Sequence, residues 1–543
     1  MIDKVEAVLT EYDLTGKQLI NGQWSAAGSD QFTASSPVDN AAIGPVYSEA
    51  TDDEVDLAVH SAAKAFREGD GLSVLDRVAF LEKLAESLER SMGRLLEQCV
   101  AETGYPVPRA KGELVRTIQQ TRDFARLLRE GSWVDARIDR GDPSRRPFPK
   151  PDIRSMMQPL GVVGVIGASN FPFAISVVGT DTVTALAAGC TVVVKGHPAH
   201  PGTCEMLAEV LRLTMDEFDF PEGSFSLLQG RDNSVGERMV THPELSALAF
   251  TGSEAGGRAL CRHAALRDQP IPVFAEMGSV NPVLVLPNAT EQRCDAIAEG
   301  FVGSLLLGGG QFCTNPGMLL IPKTDAGDQL LERLSERIRG SAPPTLLHEG
   351  IAQSYRDGLV SRQAELAEDW VESESAVQAA CGGLPALGVV DARAVTDRLI
   401  GELFGPFSLV VRWESQDELC ELMDRLPGQL TTTVHCVGNE EVEFARVIRL
   451  MQIRSGRFLM NGFPTGVEPG DAMHHGGPFP AASLPHFTSI GMASIERFVR
   501  RMCYQDIPES LLPMQLWDSN PTGIMRRIDG QLTREAIEDP SAS

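Results

Sequence analysis

A single thiol, Cys313, stands in the run Gly308-Gly309-Gly310-Gln311-Phe312-Cys313-Thr314-Asn315-Pro316-Gly317. Three glycines let the backbone take left-handed conformations and approach a ligand closely. A cysteine on an apolar helix face is a small core residue, but one in such a loop can be reached by a substrate. A lone carboxylate, Glu276, sits in a second glycine-bounded turn, Phe274-Ala275-Glu276-Met277-Gly278-Ser279. A thiol nucleophile and a carboxylate base on neighbouring turns are the two parts that covalent catalysis needs.

A nucleotide site is the next chemistry to look for. No G-x-G-x-x-G follows a strand, so the usual dinucleotide fingerprint is missing. Instead Gly252-Ser253-Glu254-Ala255-Gly256-Gly257 follows the apolar run Ala247–Phe250. A glycine turn that opens a helix offers free N–H groups to a phosphate, although many such turns are only tight connections. Lys195 ends a second apolar run in Val193-Val194-Lys195-Gly196-His197-Pro198. Open α/β sheets hold ligands at the carboxyl ends of their strands, so this lysine is a candidate for ribose hydroxyls or phosphate; otherwise it is a solvated strand end. His197 and His200 are separated by two residues, yet Pro198 and Pro201 break a helix there and no glutamate follows, so a loop is expected rather than a metal site. His474-His475 beside Gly476-Gly477-Pro478 reads as a loop near the mouth of the site. A cysteine hydrolase built on Cys313 and a histidine has no supporting local motif.

The elements that position these residues alternate in type. Residues 50–130 read as helical, with Leu75, Val78, Ala79, Leu81, Leu84, Ala85 and Leu88 at helical spacing. Residues 133–159 carry five prolines and several charges and read as an extended arm or hairpin. Strands are expected at 161–167, 190–195, 224–229 and 246–250, with helices at 173–188 and 203–213. Further strands are expected near 282–286, 318–321, 409–411 and 432–435, with helices near 291–306 and 326–338. Apolar runs alternating with amphipathic helices imply parallel sheets covered on both faces. The tail after Asp506 reads as an arm or a frayed end.

Bulk properties narrow the function. The chain has 543 residues, enough for several cores, with 43% hydrophobic and 22% charged residues, as in a soluble globular protein. Its net charge of −26 disfavours nucleic acid or an anionic membrane as partner. No apolar run is long enough to span a bilayer. The start lacks the basic and apolar regions of a signal peptide. Ten scattered cysteines contain no Cys-x-x-Cys pair and suit neither zinc nor a disulfide framework, so a reducing cytoplasm is expected.

Asn170-Phe171-Pro172, Lys195, Phe250-Thr251-Gly252-Ser253, Glu276-Met277-Gly278, Gly310-Gln311-Phe312-Cys313 and Glu402-Leu403-Phe404-Gly405-Pro406 occur in this order. Together they resemble the NAD(P)-dependent aldehyde dehydrogenase superfamily over roughly residues 20–510. Lys195–Thr203, Phe274–Met277, Asn461–Gly466 and His475–Pro478, with Ile495–Phe498 and Cys503–Gln505, resemble the branch of 2,5-dioxopentanoate (α-ketoglutarate semialdehyde) and NADP-preferring fatty-aldehyde dehydrogenases. The resemblance implies an α/β fold with two Rossmann-type parallel-sheet domains and a β-arm for oligomerisation. Residues 18–132 with 160–275 would form the dinucleotide-binding domain, 276–475 the catalytic domain, and 133–159 with 500–543 the arm and tail.

The same resemblance implies roles. Cys313 would attack the aldehyde, Asn170 would hold the oxyanion, and Glu276 would activate water against the thioester. Lys195 would bind the adenine-side ribose, Glu402 the nicotinamide-side ribose, and Phe404 would pack near the nicotinamide; Gly252, Ser253 and Gly257 belong to the cofactor turn. Pro198 stands where many NAD-preferring members carry a glutamate, so NADP is expected, with NAD also accepted. The partner is a small aldehyde, best guessed as 2,5-dioxopentanoate or a related semialdehyde, and a homodimer or homotetramer is expected. Medium- or long-chain aldehydes, acyl transfer to coenzyme A and a non-catalytic relative are the alternatives. One departure matters: Ala481-Ala482-Ser483-Leu484-Pro485-His486-Phe487 lacks the arginine expected for a dioxopentanoate enzyme, which counts against a dicarboxylic semialdehyde if that stretch touches substrate.

Overall fold

A computed structural model of the chain describes Val5, Val8, Leu9 and residues 11–69, 73–366 and 369–538. Two seven-stranded sheets carry the molecule. In the first, Val273–Glu276, Ala247–Thr251, Val162–Ile166, Thr191–Lys195 and Phe225–Leu228 run parallel in that spatial order, and Gln18–Ile20 and Gln23–Ser25 close one edge antiparallel. Their Val- and Leu-rich composition follows from burial on both faces. The chain order reverses between Val162–Ile166 and Ala247–Thr251, and that crevice is the switch point where such sheets take ligands. Register sets Leu228, Lys195, Ile166 and Phe250 in one row, and Thr251 beside Glu276, so these residues line the carboxyl edge.

The second sheet runs Trp370–Glu372, Ala386–Asp391, Phe407–Trp413, Met318–Pro322, Val283–Val285, Gln429–His435 and Ser455–Met460, parallel except at Trp370–Glu372. The turn that follows Glu276, the thiol loop and the Glu402–Pro406 loop lead into Val283, Met318 and Phe407 respectively. The site residues therefore come from the carboxyl edge of one sheet and the amino edge of the other.

Helices Asp52–Glu68, Val74–Arg90, Met92–Thr103 and Val107–Glu130 account for the helical region. Thr51 and Ser73 each cap a helix reciprocally with the acid three residues on, which explains where these two begin. Val78, Leu81, Leu84, Ala85 and Leu88 enter the core, but Leu75 is 72% exposed. Ala79, on the same expected stripe, is exposed as well.

Three expectations change. The helix expected over 173–188 is limited to Thr180–Ala188. Residues 173–179 form turns instead, because their backbone groups bond to Glu113 and to one another. Pro201 does not break a helix but opens one, Pro201–Asp216, at the position where its missing N–H costs nothing. The tail does not fray over its described length: Arg526–Ile528 and Gln531–Thr533 join Arg137–Asp139, Ile153–Pro159 and Val499–Gln505 in a five-stranded sheet. No helix among the described residues is long and apolar enough to cross a membrane.

Candidate active site

The thiol loop owes its shape to its glycines. Gly308, Gly309 and Gly310 take φ of 59°, 71° and 70°, and a Cβ on Gly310 would meet the Gly405 carbonyl carbon at 2.3 Å. The loop thus presses on the Glu402–Pro406 segment, and Asn315 Nδ2 donates to Gly405 O at 3.3 Å. Asn281 pins the loop from below: its Nδ2 donates to Cys313 O and Asn315 O, both at 2.8 Å. Gln429 Oε1 in turn accepts from the Ser279 hydroxyl at 2.9 Å and from the N–H groups of Val280 and Asn281 at 3.0 Å.

Cys313 and Glu276 are brought together by a third residue. His475 Nε2 lies 3.4 Å from Cys313 Sγ and 2.9 Å from Glu276 Oε1. The other Glu276 oxygen accepts from the Ser489 hydroxyl. Ser489 Oγ also donates to His475 O at 3.0 Å, and the Thr488 hydroxyl accepts from His475 N at 2.8 Å, so residues 475 and 488–489 form one bracket around the carboxylate. Arg497, ion-paired to buried Asp181 at 2.8 Å, donates to Ser489 O at 3.3 Å and braces that bracket.

Burial, then the charge and hydrogen bond of Glu276, push the Cys313 thiol well above its ordinary range. Burial alone would raise Glu276 too. The imidazole of His475, the Ser489 hydroxyl and the Cys313 thiol outweigh it and hold this carboxyl below its usual value. The resting arrangement is therefore a protonated sulfur beside an ionised base. The three side chains keep one donor atom each within 4.8 Å of the others.

His475 is the residue that sequence reasoning missed. The sequence places it in a loop near the mouth; the structure buries it, 1% exposed. A thiol–imidazole contact is what a cysteine hydrolase shows, but there the third group holds the opposite ring nitrogen. Here Glu276 and Cys313 share Nε2, and buried Nδ1 has no hydrogen-bond partner among the described residues.

Asn170 lies beside the thiol loop. Its Nδ2 donates to Gln311 O at 2.9 Å, which occupies one of its two N–H bonds, and the Cys313 N–H has no protein acceptor among the described residues. Asn170 O is held by the Tyr105 hydroxyl at 3.1 Å and by Arg109 at 3.2 Å. Glu113 pairs with Arg109 at 2.8 Å and accepts from Phe173 N and Ala174 N at 2.8 and 2.9 Å.

The cofactor candidates lie along the carboxyl edge of the first sheet. Lys195 is buried, and Nζ donates to Gly230 O at 2.8 Å, its one hydrogen bond among the described residues. Burial lowers its pKa, against the nearby charges of Glu49 and Asp232. An ammonium with three donors and one protein acceptor suits ribose hydroxyls or a phosphate. Ser253 caps helix Glu254–Ala265 by accepting from Gly256 N at 3.2 Å, which places Gly252 and the helix amino end at the switch point. Gly257 is where helix and strand touch, since a Cβ there would lie 2.5 Å from Met277 Sδ. Glu402 approaches from the second sheet so closely that a Cβ on Gly278 would fall 2.1 Å from its Oε2, and Phe404 follows two residues on, half-buried. These groups fit a dinucleotide laid across the crevice toward Cys313.

The stretch 481–487 lies behind Glu276, not in front of the thiol. Met277 N donates to Ala481 O, Ala275 N to Ser483 Oγ, and Phe487 packs edge-on against Phe274 at 5.2 Å. Ala482, Ser483, Leu484 and Phe487 line a small cavity with Glu276 and His475.

Comparisons with known proteins agree with this geometry. The model of the aldehyde dehydrogenase family matches residues 24–478. Alpha-ketoglutaric semialdehyde dehydrogenase 2 of Azospirillum brasilense is 43% identical over 522 residues, covering 95% of this chain and 99% of that one. The alpha-ketoglutaric semialdehyde dehydrogenase of Acinetobacter baylyi is 40% identical over 522 residues, covering 96% and 99%. Among solved structures, a 1-pyrroline-5-carboxylate dehydrogenase superposes with a TM-score of 0.78 at 23% identity, covering 92% of this chain and 94% of that one. The NAD+ complex of an aldehyde dehydrogenase from Bacillus cereus gives 0.76 at 21% identity, covering 93% and 98%. With a thiol, an imidazole and a carboxylate meeting between two such sheets, and a family match across most of its length, the chain belongs to the aldehyde dehydrogenase family, which oxidises aldehydes to carboxylates with NAD(P).

Proposed function

We propose that this protein oxidises 2,5-dioxopentanoate, or a related short semialdehyde, with Cys313 as nucleophile. The observation that carries the reading is the shared His475 Nε2, which links the Cys313 sulfur to the Glu276 carboxylate. The Cys313 proton passes to that pair as sulfur adds to the aldehyde carbon. The free N–H of Asn170 Nδ2 and the Cys313 backbone N–H hold the oxyanion; one such donor is worth about 3–4 kcal/mol. The nicotinamide, when bound, supplies a hydride acceptor, and a thioester remains on Cys313. After that first proton is released to solvent, Glu276 takes a proton from water as its oxygen adds to the thioester carbon; the C–S bond breaks, the Cys313 thiolate recovers this proton, and the acid departs as carboxylate with its own proton lost to solvent.

Lys195 binds the adenine-side ribose, Glu402 the nicotinamide-side ribose, Phe404 packs near the ring, and the Gly252-Ser253 turn with Gly257 cradles the phosphates. NADP is preferred, because Pro198 offers no carboxylate to repel a 2′-phosphate and Lys195 keeps two N–H groups for it. The names of the two relatives at 40–43% identity support the substrate. Ten unpaired cysteines suit a reducing cytoplasm. The five-stranded arm, with exposed Leu511 and Leu532, joins copies into a dimer or tetramer.

The test is a panel of keto-acid, dicarboxylic, long-chain and aromatic aldehydes with NAD and with NADP. The highest kcat/KM is expected for the keto-acid semialdehyde with NADP. A long-chain aldehyde in first place overturns the substrate, NAD in first place overturns the cofactor preference, and a requirement for coenzyme A overturns hydrolysis.

A further inference from the structure

Cys313, His475 and Glu276 bring three different metal-ligand atoms to one point. His475 Nε2 lies 3.4 Å from Cys313 Sγ and 2.9 Å from Glu276 Oε1, and the three atoms all fall within 4.8 Å of one another. Among the described residues this is the one group of three such side chains. A second thiol–imidazole contact, Cys204 Sγ with His200 Nδ1 at 3.3 Å, has no third donor in reach. The His197 and His200 rings stack at 5.5 Å instead of converging.

A thiolate, an imidazole and a carboxylate together are a donor set for zinc, whereas magnesium and calcium take oxygen ligands. With usual bond lengths, a tetrahedral zinc spaces sulfur and nitrogen ligands about 3.6 Å apart, and nitrogen and oxygen ligands about 3.4 Å apart. The side chains here need to spread by roughly half an ångström or less to reach that geometry. The metal would take the place of the proton they share.

The surroundings suit such a centre. The Ser489 hydroxyl holds the second oxygen of Glu276, and the Thr488 hydroxyl accepts from His475 N at 2.8 Å, so two of the ligands are already fixed. A ligating imidazole keeps its proton on the other ring nitrogen and donates it to a second partner. His475 Nδ1 is buried without a hydrogen-bond partner among the described residues. The cavity that His475 and Glu276 line with Ser483, Thr488 and Ser489 has room for one water to receive that proton. Cys313 is half-buried while the other two ligands are buried, so a cation enters from the thiol side.

We infer that the Cys313–His475–Glu276 cluster is a reversible zinc-binding site, and that zinc bound there stops aldehyde oxidation. Binding exchanges a proton for the metal. Sγ bonds to zinc as the thiol proton leaves to solvent, His475 gives the Nε2 lone pair with its ring proton on Nδ1, and ionised Glu276 gives an oxygen. No oxidation state changes. Three protein ligands leave the fourth position to a water, as in open zinc sites. The nucleophile and the base are then both engaged, so neither addition to an aldehyde nor activation of water can proceed. The inference goes beyond the dehydrogenase reading, because it adds a ligand that competes with the aldehyde for the same sulfur.

The test titrates the full-length protein, stripped with EDTA and dialysed, with zinc chloride. Bound metal is followed by equilibrium dialysis, and aldehyde oxidation is measured in parallel. One zinc per chain is expected, with activity falling in step with occupancy and returning on addition of EDTA. Cobalt chloride reports the ligands without turnover: wild type should show a thiolate-to-metal charge-transfer band in the near ultraviolet and the strong visible bands of a four-coordinate ion. Cys313→Ser should lose the charge-transfer band, while Cys204→Ser should keep it. His475→Gln and Glu276→Gln should each weaken zinc binding on the order of 100-fold, the share of one ligand in a small site. A wild type without the charge-transfer band overturns the site, whatever the variants do. So does zinc binding of unchanged affinity in Cys313→Ser, His475→Gln and Glu276→Gln, or inhibition that EDTA does not reverse. A wild type that binds one zinc through Cys313 yet oxidises no aldehyde supports the site and overturns the dehydrogenase reading alone.

Discussion

Cys313 sits where burial and a neighbouring carboxylate both hold its proton on sulfur, while Glu276, tied to His475 and Ser489, stays ionised. The pair stores a base next to an acid, and the imidazole between them is the route for the proton. A pH prediction follows from the sign of these effects. Because Glu276 disfavours the thiolate, Glu276→Gln should lower the thiol pKa and move the pH profile of Cys313 alkylation by iodoacetamide toward acid. At a fixed neutral pH the variant should then alkylate faster than wild type. A profile that stays in place or moves toward alkali contradicts the assignment. Cys313, Glu276 and Lys195 were legible as candidates because each stands in a short segment whose glycines or strand end mark it, while Asn170 entered only through the family resemblance. His475 was not, because the property that matters is its burial against a carboxylate 199 positions earlier in the chain, and no local pattern reports that.

At the scale of elements, the oxyanion candidate depends on helix Val107–Glu130. Glu113 on that helix holds the N–H groups of Phe173 and Ala174, and Arg109 holds Asn170 O, so one buried ion pair fixes the turn on which Asn170 is mounted. Glu113→Ala leaves Arg109 unpaired and two N–H groups without acceptors, and should cost about 3 kcal/mol of stability. Thermal denaturation should show a lowered midpoint, with a fall in kcat as the turn loosens. An unchanged midpoint contradicts this role. This is also why the helix expected over 173–188 is short. Its apolar residues have helical spacing, but a carboxylate from a distant helix captures the N–H groups of Phe173 and Ala174, and turn bonds hold the residues up to Gly179, so tertiary bonding outweighs local propensity. Central strands such as Val162–Ile166 were readable to within a residue or two, because β-branched runs buried on both faces need no outside partner to be recognised, whereas Ala386–Asp391 and Ser455–Met460 were not expected, and Val273–Glu276 is a strand where a turn was expected around Glu276.

For the whole molecule, the two-sheet α/β plan was readable from alternating apolar runs and helices. How the sheets face one another was not, since the carboxyl edge of one meeting the amino edge of the other is set by packing across the crevice. The tail illustrates the same limit. Arg526–Ile528 pairs in parallel with Arg137–Asp139, segments 389 positions apart at Arg140 and Asp529, and short polar segments carry no signal of such a partner. The resulting sheet leaves Val499–Gln505 and Gln531–Thr533 as edges, with Leu532 63% exposed nearby, a liability for a lone chain. Light scattering should give two or four times the chain mass for wild type, and Leu532→Asp should shift it toward the monomer while the far-ultraviolet circular dichroism stays the same. A monomeric wild type, or a variant of unchanged mass, contradicts the arm as interface.

The most direct measurement of the central claim is the covalent intermediate itself. Mixing the Glu276→Gln protein with NADP and a short semialdehyde, then quenching in acid, should leave the acyl group as a mass increase located on the Cys313 peptide. One cofactor should be reduced per subunit, because hydride leaves but water is no longer activated. Cofactor reduced with no adduct on Cys313, or full turnover by Cys313→Ala, would contradict the account.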